Sequence, residues 1–209
     1  MRYGIALLLV GGLVGGAQWY LHDRAVPHRP GPLAIVEPSI ELGSERKPWT
    51  DAQGFTYRAL GRLSGRVVVV SRKNYSVGEF AHLSPTDLAI VWGPLSAPEA
   101  YSALKWEQMG SPLAGRFVLP SIARDSELAA RPPGEVQEYL LANLTHLHTI
   151  PADRDIASRL AGIRPGQLVQ FSGVLVEVTA RDGGRYVSSL QLHDYDCEIA
   201  WIEELQLLD

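Results

Sequence analysis

Residues 168–187, LVQFSGVLVEVTARDGGRYV, decide how the rest of the chain is read. Leu168 to Thr179 reads as one strand, with Gly173 placed where a bulge or bend lets a strand coil. Asp182-Gly183-Gly184 supplies a hairpin turn, so Tyr186 to Leu192 reads as the return strand and Cys197 to Ile202 as a third. A coiled strand with a central glycine, followed by two antiparallel neighbours, predicts a small closed or half-closed barrel.

Working upstream, Arg164-Pro165-Gly166 turns the chain into that strand. Asp153 to Ala161 predicts a helix with Ile156, Ala157 and Leu160 on one face and Gly162 at its close. His146 to Ile150 alternates before Pro151 and predicts a short strand, whereas Glu135 to Asn143 has helical spacing. Asp125 to Arg131 is polar and reads as an exposed connection. Lys105 to Met109 and Gly115 to Leu119 form a hairpin pattern across Gly110, Ser111 and Pro112. Ser84-Pro85-Thr86-Asp87 carries an N-cap, a proline at the first helical position and an acid in the first turn. Those signals predict a short helix from Pro85 to about Val91, stopped by Gly93 and Pro94, with another over Ser96 to Ala103. Phe55 to Val70 reads as one long or bent strand, buried on both faces where Val67 to Val70 run together.

At the other end of the chain, Tyr3 to Leu21 is an uncharged, largely apolar run behind Arg2. As a helix it would be roughly 28 Å long, close to the hydrocarbon thickness of a bilayer. Trp19 and Tyr20 extend the run past the small residues Gly15, Gly16 and Ala17 and suit a membrane interface, which favours an uncleaved signal anchor. A removed signal peptide, and a secreted domain, is the alternative. The short tail behind Arg2 favours a cytoplasmic N-terminus despite Arg24 and Arg29 beyond the run. Gly11 with Gly15, and Gly12 with Gly16, give two overlapping G-x-x-x-G registers through which two such helices could pair as a homodimer. Pro27, Pro30, Pro32, Pro38 and Pro48 make residues 22–49 a Pro-rich tether. The expected organisation is therefore 1–21 as transmembrane helix, 22–49 as tether and 50–209 as one extracytoplasmic domain.

Composition bounds the function. The 209 residues are 46% hydrophobic and 20% charged, as in a globular chain. A net charge of −4 argues against nucleic acid, whose affinity comes largely from clustered Lys and Arg. The single Cys197 excludes an internal disulfide, so the folded state must rest on its core.

Several segments together are similar to an uncharacterised family of bacterial membrane-anchored proteins that open with a hydrophobic segment. They are Leu83-Ser84-Pro85-Thr86-Asp87-Leu88-Ala89, Trp92-Gly93-Pro94-Leu95-Ser96, His148-Thr149-Ile150-Pro151-Ala152, Ser188-Ser189-Leu190 and Cys197-Glu198-Ile199-Ala200-Trp201. The likeness spans roughly Phe55 to Glu204. It supports fold continuity only and implies no activity, substrate or catalytic residue; the apolar run behind Arg2 is what gives the expectation of a bacterial inner-membrane, single-pass protein with its C-terminal domain in the periplasm. Where that family carries a longer, Gly-containing loop between the Ser-Ser-Leu and Cys-Glu pieces, this chain has Gln191 to Asp196. The C-terminal portion, about 146–205, also resembles an OB-type barrel. The expected fold class is α+β: an N-terminal transmembrane helix, then a mostly antiparallel β domain with an OB-like barrel and a few short helices.

Few residues carry recognisable chemistry. His146 and His148 sit two apart in a strand, so both imidazoles face one side, as two ligands of one metal require. A third ligand would come from His193, Asp194, Asp196 or Glu198, and no H-E-x-x-H spacing is present. A thiol nucleophile would pair Cys197 with His148, although Asp196 and Glu198 beside it disfavour the thiolate. Ser188 and Ser189 lie outside any G-x-S-x-G elbow. Trp92-Gly93-Pro94 makes a fixed corner that either plugs the core or lines a groove. Asn74 and Asn143 match the glycosylation acceptor pattern, a frequent chance occurrence.

The expectation is a non-catalytic, membrane-anchored periplasmic binding or scaffold module for a protein partner or envelope component. Trp92, His148, Ser188 and Ser189 are its candidate contacts, the membrane is held through residues 3–21, and no cofactor is called for. The alternative is a metal-dependent or thiol enzyme using His146, His148, His193 and Cys197.

Overall fold

A computed structural model describes residues 35–74, 79–102, 104–109, 117–122, 127–192 and 197–208. Its dominant element is strand β3, Thr56–Asn74, which follows two short strands, β1 (Ser39–Leu42) and β2 (Trp49–Thr50). Helix α1 (Glu79–Leu83), strand β4 (Thr86–Val91) and helix α2 (Pro98–Ser102) come next. Strands β5 (Leu104–Met109) and β6 (Phe117–Ile122), helix α3 (Pro133–Leu141), strand β7 (Leu144–Pro151) and helix α4 (Arg154–Gly162) continue the chain. Strands β8 (Leu168–Thr179), β9 (Arg185–Val187) and β10 (Glu198–Leu208) complete it.

Five strands close on themselves in the order β3, β4, β7, β10, β8 and back to β3. All neighbours are antiparallel except β7 and β10. With α4 linking β7 to β8, the third and fourth of these strands in chain order, the connectivity is that of an OB-type barrel. The ring draws on 56–91 as well as on the C-terminal residues, because β3 is long enough to pair with β8 along one half and with β4 along the other. Val67 and Val69 point into the barrel while Val68 and Val70 point out, and all four are buried, which explains an apolar run without alternation.

The α+β class with an N-terminal transmembrane helix is corrected. Strand outweighs helix, 48% to 22%, and no helix among the described residues is long and apolar enough to cross a membrane. The physical reason is that most of the described chain is paired into strands, with α-helices of only five to nine residues set between them. The β-rich part is compatible with the expected barrel. Residues 3–21, with Gly11, Gly12, Gly15 and Gly16, lie outside the described residues, as do 22–34. Part of the expected tether is folded onto the sheet: β1 and β2 both pair with β3, and the Ile35 carbonyl accepts from the Gly93 amide at 2.8 Å.

The second correction is β4, where a helix over 85–91 was the expectation. All six of its residues are buried, and it pairs on both sides, with β3 and with β7. Two ladders of backbone hydrogen bonds outweigh a cap and a favourable first turn, each about 1 kcal/mol. The capping serine is still used locally: Ser84 Oγ donates to Asp87 Oδ1 at 3.1 Å. The return strand is also shorter than expected, ending at Val187, after which Leu192 turns into the barrel core.

Helix α4 closes one end of the barrel. Asp153 caps it by accepting from the Ile156 amide at 2.9 Å, and Ile156 and Leu160 join Leu63, Val69, Phe171 and Ala200 in the interior. Gly173 is required by the crossing of β8 and β10: a Cβ there would sit 2.1 Å from the Trp201 carbonyl oxygen.

Candidate functional site

The outward rows of the barrel are apolar on two sides, and the two are covered differently. Around β3, β4 and β7, Val68, Val70, Ala89, Val91 and Leu144 lie under Leu95, Leu104 and Leu128 from the insertion between β4 and β7. Around β8 and β10, Val174, Val176, Val178 and Ile199 lie under Trp49, Tyr186 and Trp201, all half-buried.

The second cover is an aromatic cluster at the surface. Trp49 stacks on Tyr57 with ring centroids 5.3 Å apart, and Trp201 meets Trp49 and Tyr57 edge-on at 5.3 and 5.0 Å. The Arg46 guanidinium lies 3.7 Å from the Trp49 ring centroid and pairs through Nη1 with Glu203 Oε1. Asp51 fixes the turn that presents these rings. Its Oδ1 accepts from the Gln53 and Phe55 amides, and its Oδ2 accepts from the Tyr57 hydroxyl at 2.6 Å. Burial first, then the hydrogen bond and negative charge of Asp51, push the Tyr57 hydroxyl well above the usual phenol range.

The structure places the sequence-derived candidates in plain positions. His148 lies opposite Asp87 across β4 and β7, with Nδ1 3.1 Å from Asp87 Oδ1, and is only 13% exposed. Ser84 Oγ donates to the same carboxylate oxygen at 3.1 Å and also lies 3.5 Å from the Thr86 carbonyl oxygen. An imidazole held by a carboxylate is a proton-handling arrangement. His146 is half-buried on the same strand, opposite Ala89.

Trp92 is 2% exposed and belongs to the barrel core, so it plugs and does not line a groove. Ser188 is buried as a strand tie, with Oγ donating to the Ser189 carbonyl and accepting from the Ile199 amide. Ser189 closes a local turn with Gln191. Cys197 is half-buried and His193 lies outside the described residues. Among the described residues no three His, Cys, Asp or Glu side chains are grouped to hold a metal ion.

Two further carboxylates matter: Glu198, named from the sequence only as one possible third metal ligand, and Glu177, which had no signal there. Glu198 is fully buried on the inward row of β10 and accepts from Thr145 Oγ1 at 2.5 Å. Glu177 lies between Arg58 on β3 and Arg185 on β9. Hydrogen bonds from Arg58, then Arg185, hold its carboxyl below the usual range. Arg46, Trp49 and Trp201 were also missed, because Trp201 lies more than 150 residues from the other two and only the barrel joins them; the one available hint was aromatic residues flanked by charge.

The chain matches no known protein family, no curated protein and no solved structure.

Proposed function

We propose that this protein is a non-catalytic binding module of the cell envelope, with the aromatic face over β8 and β10 as its contact surface for a protein partner. The observation that carries the reading is the half-exposed cluster of Trp49 and Trp201 on Tyr57, topped by Arg46. Trp, Tyr and Arg are the residue types that dominate binding energy in protein interfaces.

Site-specific photo-crosslinking in producing cells tests it. A photoreactive residue at exposed Lys47 is expected to give a discrete adduct, and one at exposed Gln137 on α3 is not. Failure at Lys47, or turnover of a hydrolase panel that disappears in His148→Ala, would overturn the reading.

A further inference from the structure

We infer that Arg46 reads a carboxylate, and that the partner docking over Trp49 and Trp201 presents an acidic side chain flanked by apolar residues. This rests on the binding-surface reading above and adds the chemistry of the occupant. Arg46 is neither a buried strut nor a loose surface cation. Its side chain is 36% exposed, yet Trp49 lies 3.7 Å beneath the guanidinium and Trp201 5.7 Å to the side. Stacking of this kind fixes the plane of a planar cation while leaving its edges open for hydrogen bonding.

One nitrogen, Nη1, donates to Glu203. Among the described residues Glu203 is the guanidinium's hydrogen-bond acceptor, and the 36% exposure of the side chain leaves further N–H groups for a ligand. A carboxylate fits a guanidinium edge with two parallel hydrogen bonds, and part of the ordering cost has already been met by the rings. Glu203 argues for the charge of the occupant. Its own carboxylate, 34% exposed, already neutralises the cation, so the fork offers hydrogen-bond geometry more than net charge, which suits a single carboxylate and gives a dianion no charge advantage. The half-buried edges of Trp49 and Trp201 beside the fork match apolar side chains on either side of the acid.

The test titrates the full chain with an end-blocked pentapeptide of alternating valine and glutamate, and with the same peptide carrying glutamine. Nuclear magnetic resonance follows Arg46 Nε–H and the Trp49 indole N–H. The glutamate peptide is expected to shift both signals saturably and to bind at least about tenfold more tightly than the glutamine peptide. Arg46→Lys keeps the charge but loses the fork, and is expected to weaken binding by about tenfold. Absence of any shift, equal affinity for the two peptides, equal affinity of Arg46→Lys, or tighter binding of inorganic phosphate would each overturn the inference. The Lys47 crosslink separates the two levels. An adduct unchanged by Arg46→Lys overturns the carboxylate assignment and leaves the binding module standing, whereas no adduct in the parent protein overturns both.

Discussion

The two covered faces of the barrel differ in what seals them. Over β3, β4 and β7 the outward row is sealed by the intervening insertion, with aliphatic side chains such as Leu95 at 0% exposure and Leu104 at 5%. Over β8 and β10 it is sealed by three half-buried rings from β2, β9 and β10, and the outermost group is a charged guanidinium. Both faces remove similar valine rows from water. The first ends in core and the second in a surface, because a tryptophan covered by arginine keeps one side available to a partner while an aliphatic residue under chain does not.

The comparison is broken most severely by Gly173→Ala. The added Cβ would collide with the Trp201 carbonyl, and neither backbone can retreat without opening the β8–β10 ladder that carries Trp201. A loss above about 4 kcal/mol in denaturant unfolding is expected. Next comes a paired measurement. Leu95→Ala should cost about 2–5 kcal/mol, as for a fully buried leucine, and Trp49→Ala, half-buried, should fall below the roughly 3–5 kcal/mol typical of a buried tryptophan. If the two costs come out equal at the high end, the aromatic face is core and the distinction fails.

Asp51→Ala sharpens the ring side further. It removes the acceptor of two amides and of the Tyr57 hydroxyl, and should destabilise by about 2 kcal/mol while leaving the insertion side intact. A smaller effect is expected from acid. The Glu177 carboxyl has a lowered pKa in the folded state, so its contribution is fully present above the unfolded carboxylate value of about 4.3 and is lost as pH falls through the lower folded value. Stability of the parent and of Glu177→Gln, measured from pH 7 downward, should therefore converge in acid; parallel curves would deny the arginine clamp. The smallest effect belongs to Arg46→Gln, an exposed pair worth less than about 1 kcal/mol. A larger loss would make Arg46 a structural strut.

Local sequence was informative where an element's partners are supplied by its own pattern. The strand over 168–179 and the helix capped by Asp153 occur at the residues where glycine, turn and cap signals place them. The 105–109 and 115–119 hairpin is present as β5 and β6, shifted by a few residues. Thr86–Val91 failed the same treatment because its local signals are those of a helix start, and the pairing that overrides them comes from strands about 20 and 60 residues away. The candidate surface was illegible for a related reason: Arg46 and Trp49 fall in a proline-containing stretch that reads as tether until β1 and β2 are seen to pair with β3.

By itself, the sequence determined the alternation that makes strands, the turns that join them, a net charge of −4 and a chain without an internal disulfide, since each is a property of neighbouring residues or of totals. The closure of five strands into a ring, the strand identity of 86–91 and the meeting of Arg46 with Trp201 were decided only by tertiary structure. Those features depend on contacts between residues from about 20 to more than 150 positions apart, where the free energy comes from burying distant rows against one another and no short stretch of chain records the partner.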